Sequence, residues 1–237
     1  MPRTTNPERR KKTEKELFQV AARAFLRDGY EATGMKALAA EAGCTTGKFY
    51  CYYSGKEVIL IELLQELFRG NREAAGRLAD KKKDRFCGVL VFLSTLYQGA
   101  KAYPNLREIY REGLEESAGR DFMEEILKEM LCEGQGEDTE SDEGADCGDG
   151  AGRGDDALLR IRVAVQAIPA FFREDTAELT TEEQYLSMIA AILGESPEET
   201  EAHVKLVTGS KTAIREKAYD VLIKLLQGPK KKNVKKM

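Results

Sequence analysis

Gly43 divides two short segments that each carry one apolar face: Met35, Leu38, Ala39 and Ala42 before it, Phe49 and Tyr53 after it. Apolar residues three and four apart form a single stripe on a helix. A glycine between two such stripes stops the first helix and turns the chain. Neither helix is long enough to stand alone, so both must pack on further helices. This is the pattern of a helix-turn-helix.

The supporting helix is legible just upstream. Leu17, Val20, Ala21, Ala24 and Phe25 recur at helical spacing, Thr13 and Glu16 fit a capping box, and Asp28-Gly29 closes the helix. The sequence therefore predicts helices from Thr13 to Asp28, over Met35–Ala42, and from Thr45 or Thr46 to about Tyr53. Ser54-Gly55 breaks the third, and a fourth starts at Lys56 and runs through Val58, Leu60, Ile61, Leu64, Leu67 and Phe68. Residues 1–12, MPRTTNPERRKK, hold two prolines and a run of charge, and read as a flexible basic arm.

Further helices are expected over Phe86–Tyr103, Asn105–Glu116, Asp121–Leu131, Leu158–Phe172, Glu182–Leu193, Pro197–Val207 and Thr212–Gln227. No alternating stretch demands a strand, so the fold class is all-α: a three-helix unit over 13–56, then a larger helical domain over 57–227. Residues 132–156 hold ten acids, seven glycines and one arginine, and predict a disordered acidic loop. A lysine-rich tail, 228–237, ends the sequence.

The chain has 237 residues, 42% of them hydrophobic, enough for a sizeable core. Its net charge of −4 hides an asymmetry. Residues 1–56 hold 11 Lys/Arg against 6 Asp/Glu, a net of +5, and the remainder carries −9. A basic N-terminal quarter favours a polyanionic partner, because phosphate contacts depend on local potential rather than on the mean. No apolar run approaches a membrane span and the basic N-terminus lacks an apolar core, so a cytoplasmic protein without a signal peptide is expected. In that compartment the five cysteines stay mostly reduced, a Cys132–Cys147 bridge across the acidic loop included, and their spacing fits no CxxC zinc site.

A helix that reads DNA needs small or polar residues at its exposed N-terminal end, an apolar face to hold it down and phosphate donors at its flanks. The stretch CTTGKFYCYYSGKE, residues 44–57, supplies all three. Thr45, Thr46, Gly47 and Lys48 stand at the exposed end. Phe49 and Tyr53 share the inward face. Tyr50 and Tyr52 lie off that face, and Lys56 opens the next helix, where its charge adds to free backbone N–H groups.

Residues 29–59, GYEATGMKALAAEAGCTTGKFYCYYSGKEVI, resemble the DNA-binding domain of the TetR family of bacterial transcriptional regulators. The resemblance covers about fifty residues once the first helix is counted. It implies base contacts from Lys36, Thr46 and Lys48, phosphate contacts from Thr45, Tyr50 and Lys56, and either role for Tyr52. Gly34 stands where the family commonly has a capping Thr or Ser, and Thr33 is the candidate substitute. The resemblance also implies that the C-terminal helices form a homodimer interface, expected at Leu158–Phe172 and Thr212–Gln227, and enclose a small-molecule effector pocket. Phe86, Phe92, Tyr97, Tyr103, Tyr110 and Phe122 are candidates to line it, against the plainer reading of each as core.

Other features read more simply. Cys44 and Cys51 have no histidine or dense cation cluster beside them to activate a thiol, so a redox sensor is the weaker reading. His203, the only histidine, lies near Glu198, Glu199 and Glu201, but a lone histidine on a charged helix is usually a surface residue, and no metal or cofactor is expected. The glycines at 148, 150, 152 and 154 lack the lysine and strand–helix setting of a phosphate loop. The acidic loop reads as solvated, or as a competitor of DNA for the basic arm.

The expected function is a homodimeric, ligand-responsive regulator, a repressor in sign, on a pseudo-palindromic double-stranded operator. The alternatives are a non-specific architectural DNA binder and a helical enzyme. An enzyme would have to work with carboxylates alone.

Overall fold

The computed structural model describes residues 7–79, 85–132 and 151–210, with single helical positions between 213 and 223. Eleven α-helices are defined in these residues: α1 Pro7–Asp28, α2 Met35–Glu41, α3 Thr46–Tyr50, α4 Lys56–Ala79, α5 Arg85–Ala102, α6 Pro104–Glu115, α7 Ser117–Cys132, α8 Ala151–Ala167, α9 Glu174–Leu179, α10 Glu182–Leu193 and α11 Pro197–Gly209. A 3-10 turn, Ile168–Phe172, joins α8 to α9, and there is no strand among the described residues.

α5 is the centre of the larger domain. Every residue from Cys87 to Tyr97 is buried, as expected of a helix that is apolar on all sides. It packs against α4, α6, α7, α10 and α11. Polar side chains on it face one partner: Ser94 and Gln98 donate to the buried Glu182 carboxylate in the first turn of α10, Gln98 at 2.6 Å. Tyr97 donates to the Thr180 carbonyl at 2.7 Å.

α4 belongs to both halves. It packs on α1 and on α5, α6 and α7. Its inward stripe is Leu60, Leu63, Leu64, Leu67, Phe68, Asn71, Ala74 and Ala75, all buried. α6 also reaches the N-terminal unit. Asn105 donates to the Leu26 and Arg27 carbonyls at 3.1 and 2.9 Å, satisfying groups left open where α1 ends.

Several boundaries differ from expectation. α1 begins at Pro7, six residues before Thr13. Proline suits a first turn, where its missing N–H is not needed, and the charge run Arg9–Lys12 is an exposed helical face. α3 ends at Tyr50, and Tyr53 lies beyond it, yet Tyr53 is still buried. The span 158–172 is not one helix: Pro169 lacks the donor α8 would need to continue, and the chain tightens into a 3-10 turn. α7 starts at Ser117, four residues early, and α9 lies in a stretch read as a connection. α8 starts at Ala151, inside the stretch expected to be disordered, because its later apolar turns carry the helix through the glycines before them. Residues 1–6, 133–150 and 228–237 lie outside the described residues, as does most of 212–227.

Candidate DNA interface

The α2–α3 corner is set by backbone chemistry. Gly43 sits at φ 63, a left-handed conformation that a side chain makes costly. α3 then opens on Thr45, whose hydroxyl accepts the Lys48 N–H at 3.2 Å. That cap uses an oxygen lone pair and leaves the hydroxyl proton free to donate.

Three anchors hold α3 in place. Phe49 is 0% exposed, and its ring lies 6.0 Å from that of Tyr53, which is 2% exposed. The Tyr53 hydroxyl reaches back to the Glu14 carbonyl on α1 at 3.4 Å. Burial raises its pKa first of all, with the Glu62 charge second, so it stays a neutral donor. The outward side is open by contrast. Tyr50 is 50% exposed, Thr45, Gly47 and Lys48 are exposed, and a Cβ built on Gly47 would meet nothing within 4 Å. Lys36 is exposed on α2. Tyr52 is half-buried, with the Arg10 guanidinium 5.9 Å over its ring. This contact draws the basic start of α1 to the same side as α3.

Two expected contact residues sit elsewhere. Lys56 turns inward: its ammonium is 3.3 Å from the Tyr30 carbonyl, to which it donates, and 4.2 Å from the Tyr30 ring centroid. An aromatic face and a carbonyl together hold a cation well. Thr33 is buried and donates its hydroxyl to the Gly29 carbonyl at 2.6 Å. It does not cap α2, whose N-cap is Gly34 with no side-chain bond. Cys44 is half-buried against the core, and Cys51 is exposed with its thiol 3.3 Å from the Gly47 carbonyl.

Residues 17–63 match the family described as bacterial regulatory proteins, tetR family. The N-terminal unit is therefore similar to that family over these residues. The chain shares the fold of RolR, a protein solved in complex with resorcinol. That structure superposes with a TM-score of 0.63 at 16% identity, over 84% of this chain and 96% of the other. The fatty acid degradation regulator FadR of Bacillus halodurans (TM-score 0.36, 16% identity, 96% and 99% covered) superposes too loosely to inform the fold. So does a γ-butyrolactone receptor described as ArpA-like (0.37, 17%, 86% and 98%). No curated protein sequence matches the chain.

The six aromatics named as pocket candidates do not surround one described cavity. Phe92, Tyr110 and Phe122 converge on Phe68, with ring centroids at 6.0, 5.9 and 6.5 Å. Tyr97 stacks on Tyr185 at 5.5 Å. Phe86 is half-buried at the start of α5, and Tyr103 lies at the surface as the N-cap of α6. Sequence reasoning missed Asn71, Phe172 and Tyr185. Asn71 carried a readable signal: it occupies an inward position of the α4 stripe, where a polar side chain stands out. His203 faces Glu195 at 2.5 Å rather than the glutamates at 198, 199 and 201. The described residues form no group of three or more potential metal ligands, and none of their helices is long and apolar enough to cross a membrane.

Proposed function

We propose that this chain is a TetR-family regulator, a homodimeric, small-molecule-responsive repressor and not an enzyme, that reads a pseudo-palindromic operator with α3. The observation that carries the reading is the split of α3 into a sealed face, Phe49, and an open one, Thr45, Gly47, Lys48 and Tyr50. A five-residue helix so divided is fixed in orientation and presents small and cationic groups outward, which suits a major groove. Thr46, Lys48 and Lys36 read base edges. Thr45, Tyr50 and Tyr52 hold the strand, and Arg10 is added to them from the start of α1. The inward geometry of Lys56 leaves it a structural part. The domain boundary is kept near 56 and 57, where α4 begins, although α4 itself packs on both halves.

The dimer interface is proposed on α8 and α10, which pack side by side. Leu159, Val163 and Met188 are 59%, 48% and 49% exposed there. Apolar side chains left open on two adjacent helices are suited to a second copy of the same face. RolR, with its bound resorcinol, supports a small-molecule effector for this chain too.

Selection of bound DNA from a random pool tests the reading. A palindromic consensus with half-sites one helical turn apart is the expected result. Equal retention of all sequences would instead indicate a non-specific architectural binder.

A further inference from the structure

Three polar side chains are buried in the aromatic core, from three different helices: Asn71 of α4, Tyr110 of α6 and Tyr185 of α10, the two tyrosines both packing on Phe172. The three are 2%, 1% and 0% exposed. Asn71 Nδ2 donates to the Tyr110 hydroxyl at 3.3 Å. The Asn71 Oδ1 and the Tyr185 hydroxyl find no hydrogen-bond partner among the described residues. A buried polar group left unpaired is destabilising, so two in one core call for an explanation.

Rings surround these groups. Tyr110 lies 5.4 Å from Phe172 and 5.9 Å from Phe68, centroid to centroid. Tyr185 lies 4.9 Å from Phe171, 5.5 Å from Tyr97 and 6.5 Å from Phe172. No lysine or arginine is buried among the described residues. An anion would lose its water here without a countercharge, so the environment favours a neutral guest. Burial also keeps both tyrosines as neutral phenols, their pKa values pushed upward by desolvation.

A cleft lies beyond these rings. Phe122 stacks on Phe68 with the ring planes 8° apart. Phe122 also lines a cleft of about 510 Å³ between α4 and α7, edged by Arg69, Arg72, Glu73, Glu125 and Glu129. Phe122, Phe68 and Tyr110 thus follow one another from the outer cleft into the core.

We propose that Asn71, Tyr110 and Tyr185 are the polar anchors of the effector site, and that its ligand is a small, uncharged aromatic molecule carrying a hydroxyl group. The inference rests on the reading of the chain as an effector-responsive regulator. A hydroxyl both donates and accepts. It satisfies the Asn71 amide in either orientation and pairs with a tyrosine hydroxyl at the same time. The ring of the guest replaces ring–ring contacts rather than breaking them.

The test uses the full chain and phenol as probe, with toluene as the probe lacking the hydroxyl. Titration calorimetry is run on wild type, Tyr185→Phe and Asn71→Leu, with thermal unfolding of each. Tyr185→Phe removes only an unpaired hydroxyl, so it should unfold at the same temperature as wild type or higher. Phenol should bind wild type at least about tenfold more tightly than either variant, a change of about 1.4 kcal/mol, and more tightly than toluene. Equal phenol binding by all three proteins overturns the assignment, as does no phenol binding to wild type. A lowered unfolding temperature for Tyr185→Phe with no change in phenol binding also overturns it, because buried water then fills the site. Release of the selected operator by phenol is measured alongside. Anchored binding that leaves operator affinity unchanged keeps the site and removes the effector-responsive reading. A palindromic operator with no phenol binding keeps the DNA reader and removes the ligand class.

Discussion

The Glu108 carboxylate accepts the backbone N–H of Glu31 at 2.9 Å, joining α6 to the α1–α2 turn across 77 residues of chain. Its second oxygen accepts the Tyr30 N–H at 3.2 Å. Gly29 makes room for it: at φ 94 the residue has no Cβ, and one built there would lie 2.8 Å from a Glu108 oxygen. Tyr110 stands two residues further along α6. One helix therefore touches both the aromatic core and the turn that leads into α2. Glu108→Ala should lower stability by about 1–3 kcal/mol, since it leaves two backbone donors unpaired. It should also shrink the difference in operator affinity between effector-free and effector-bound protein. Mobility shifts with and without effector check this. An unchanged ratio would assign the coupling to α4 alone.

Folding and reading should separate on α3. Phe49→Ala opens a cavity under the helix and should cost about 3–5 kcal/mol, seen in denaturant unfolding. Tyr50→Phe removes an exposed hydroxyl, should leave unfolding unchanged, and should weaken binding on operator and random DNA alike. Thr46→Ala and Lys48→Ala should relax sequence preference by about 1–3 kcal/mol per lost base contact. Equal losses on operator and random DNA for Tyr50→Phe, Thr46→Ala and Lys48→Ala would refute these roles.

Lys56 offers a contrast in salt dependence. A lysine on a phosphate contributes roughly one unit to the slope of log affinity against log salt. Lys56→Met removes the contact with Tyr30 and should lower the unfolding temperature while leaving the slope unchanged. Arg10→Met should reduce the slope with little change in unfolding. A Lys56→Met slope reduced by a full unit would return this residue to the phosphate-binding set.

Glu62 sets a pH dependence near the same helices. Desolvation raises its pKa above the ordinary carboxylate value, only partly opposed by the hydrogen bond from Tyr53. The folded state therefore holds this proton more tightly than the unfolded chain. Its contribution is most favourable below the unfolded-state value, about 4.3, and declines as pH rises through the folded value. Glu62→Gln should unfold at a higher temperature than wild type at pH 7, and the gap should close as pH falls towards 4. Melting curves across that range check the sign.

The DNA-binding half was legible because its determinants are local. Glycine at a left-handed turn, Thr45 as a cap and the Phe49 stripe all act over a few residues. The side chains that fix Lys56 and Thr33 were not legible. Their partners, Tyr30 and Gly29, are recruited by the fold of the turn, and an exposed-looking lysine gives no sign of an aromatic face waiting nearby. The core residues failed for a related reason. Aromatic spacing marks which residues are buried, but not which rings from α4, α6 and α10 face each other. Asn71 was missed as well, although a polar residue in an apolar register is a readable signal.

Gly47 gives the outward face of α3 a further property. No described residue comes within 4 Å of the place its side chain would take, and replacing an exposed helical glycine adds about 0.5–1 kcal/mol of stability. Position 47 is thus open to substitution without disturbing the core that Phe49 seals beneath it. The scaffold can be retargeted: a library varied at 46, 47, 48 and 50 should express as folded protein throughout while its members diverge in the DNA they choose.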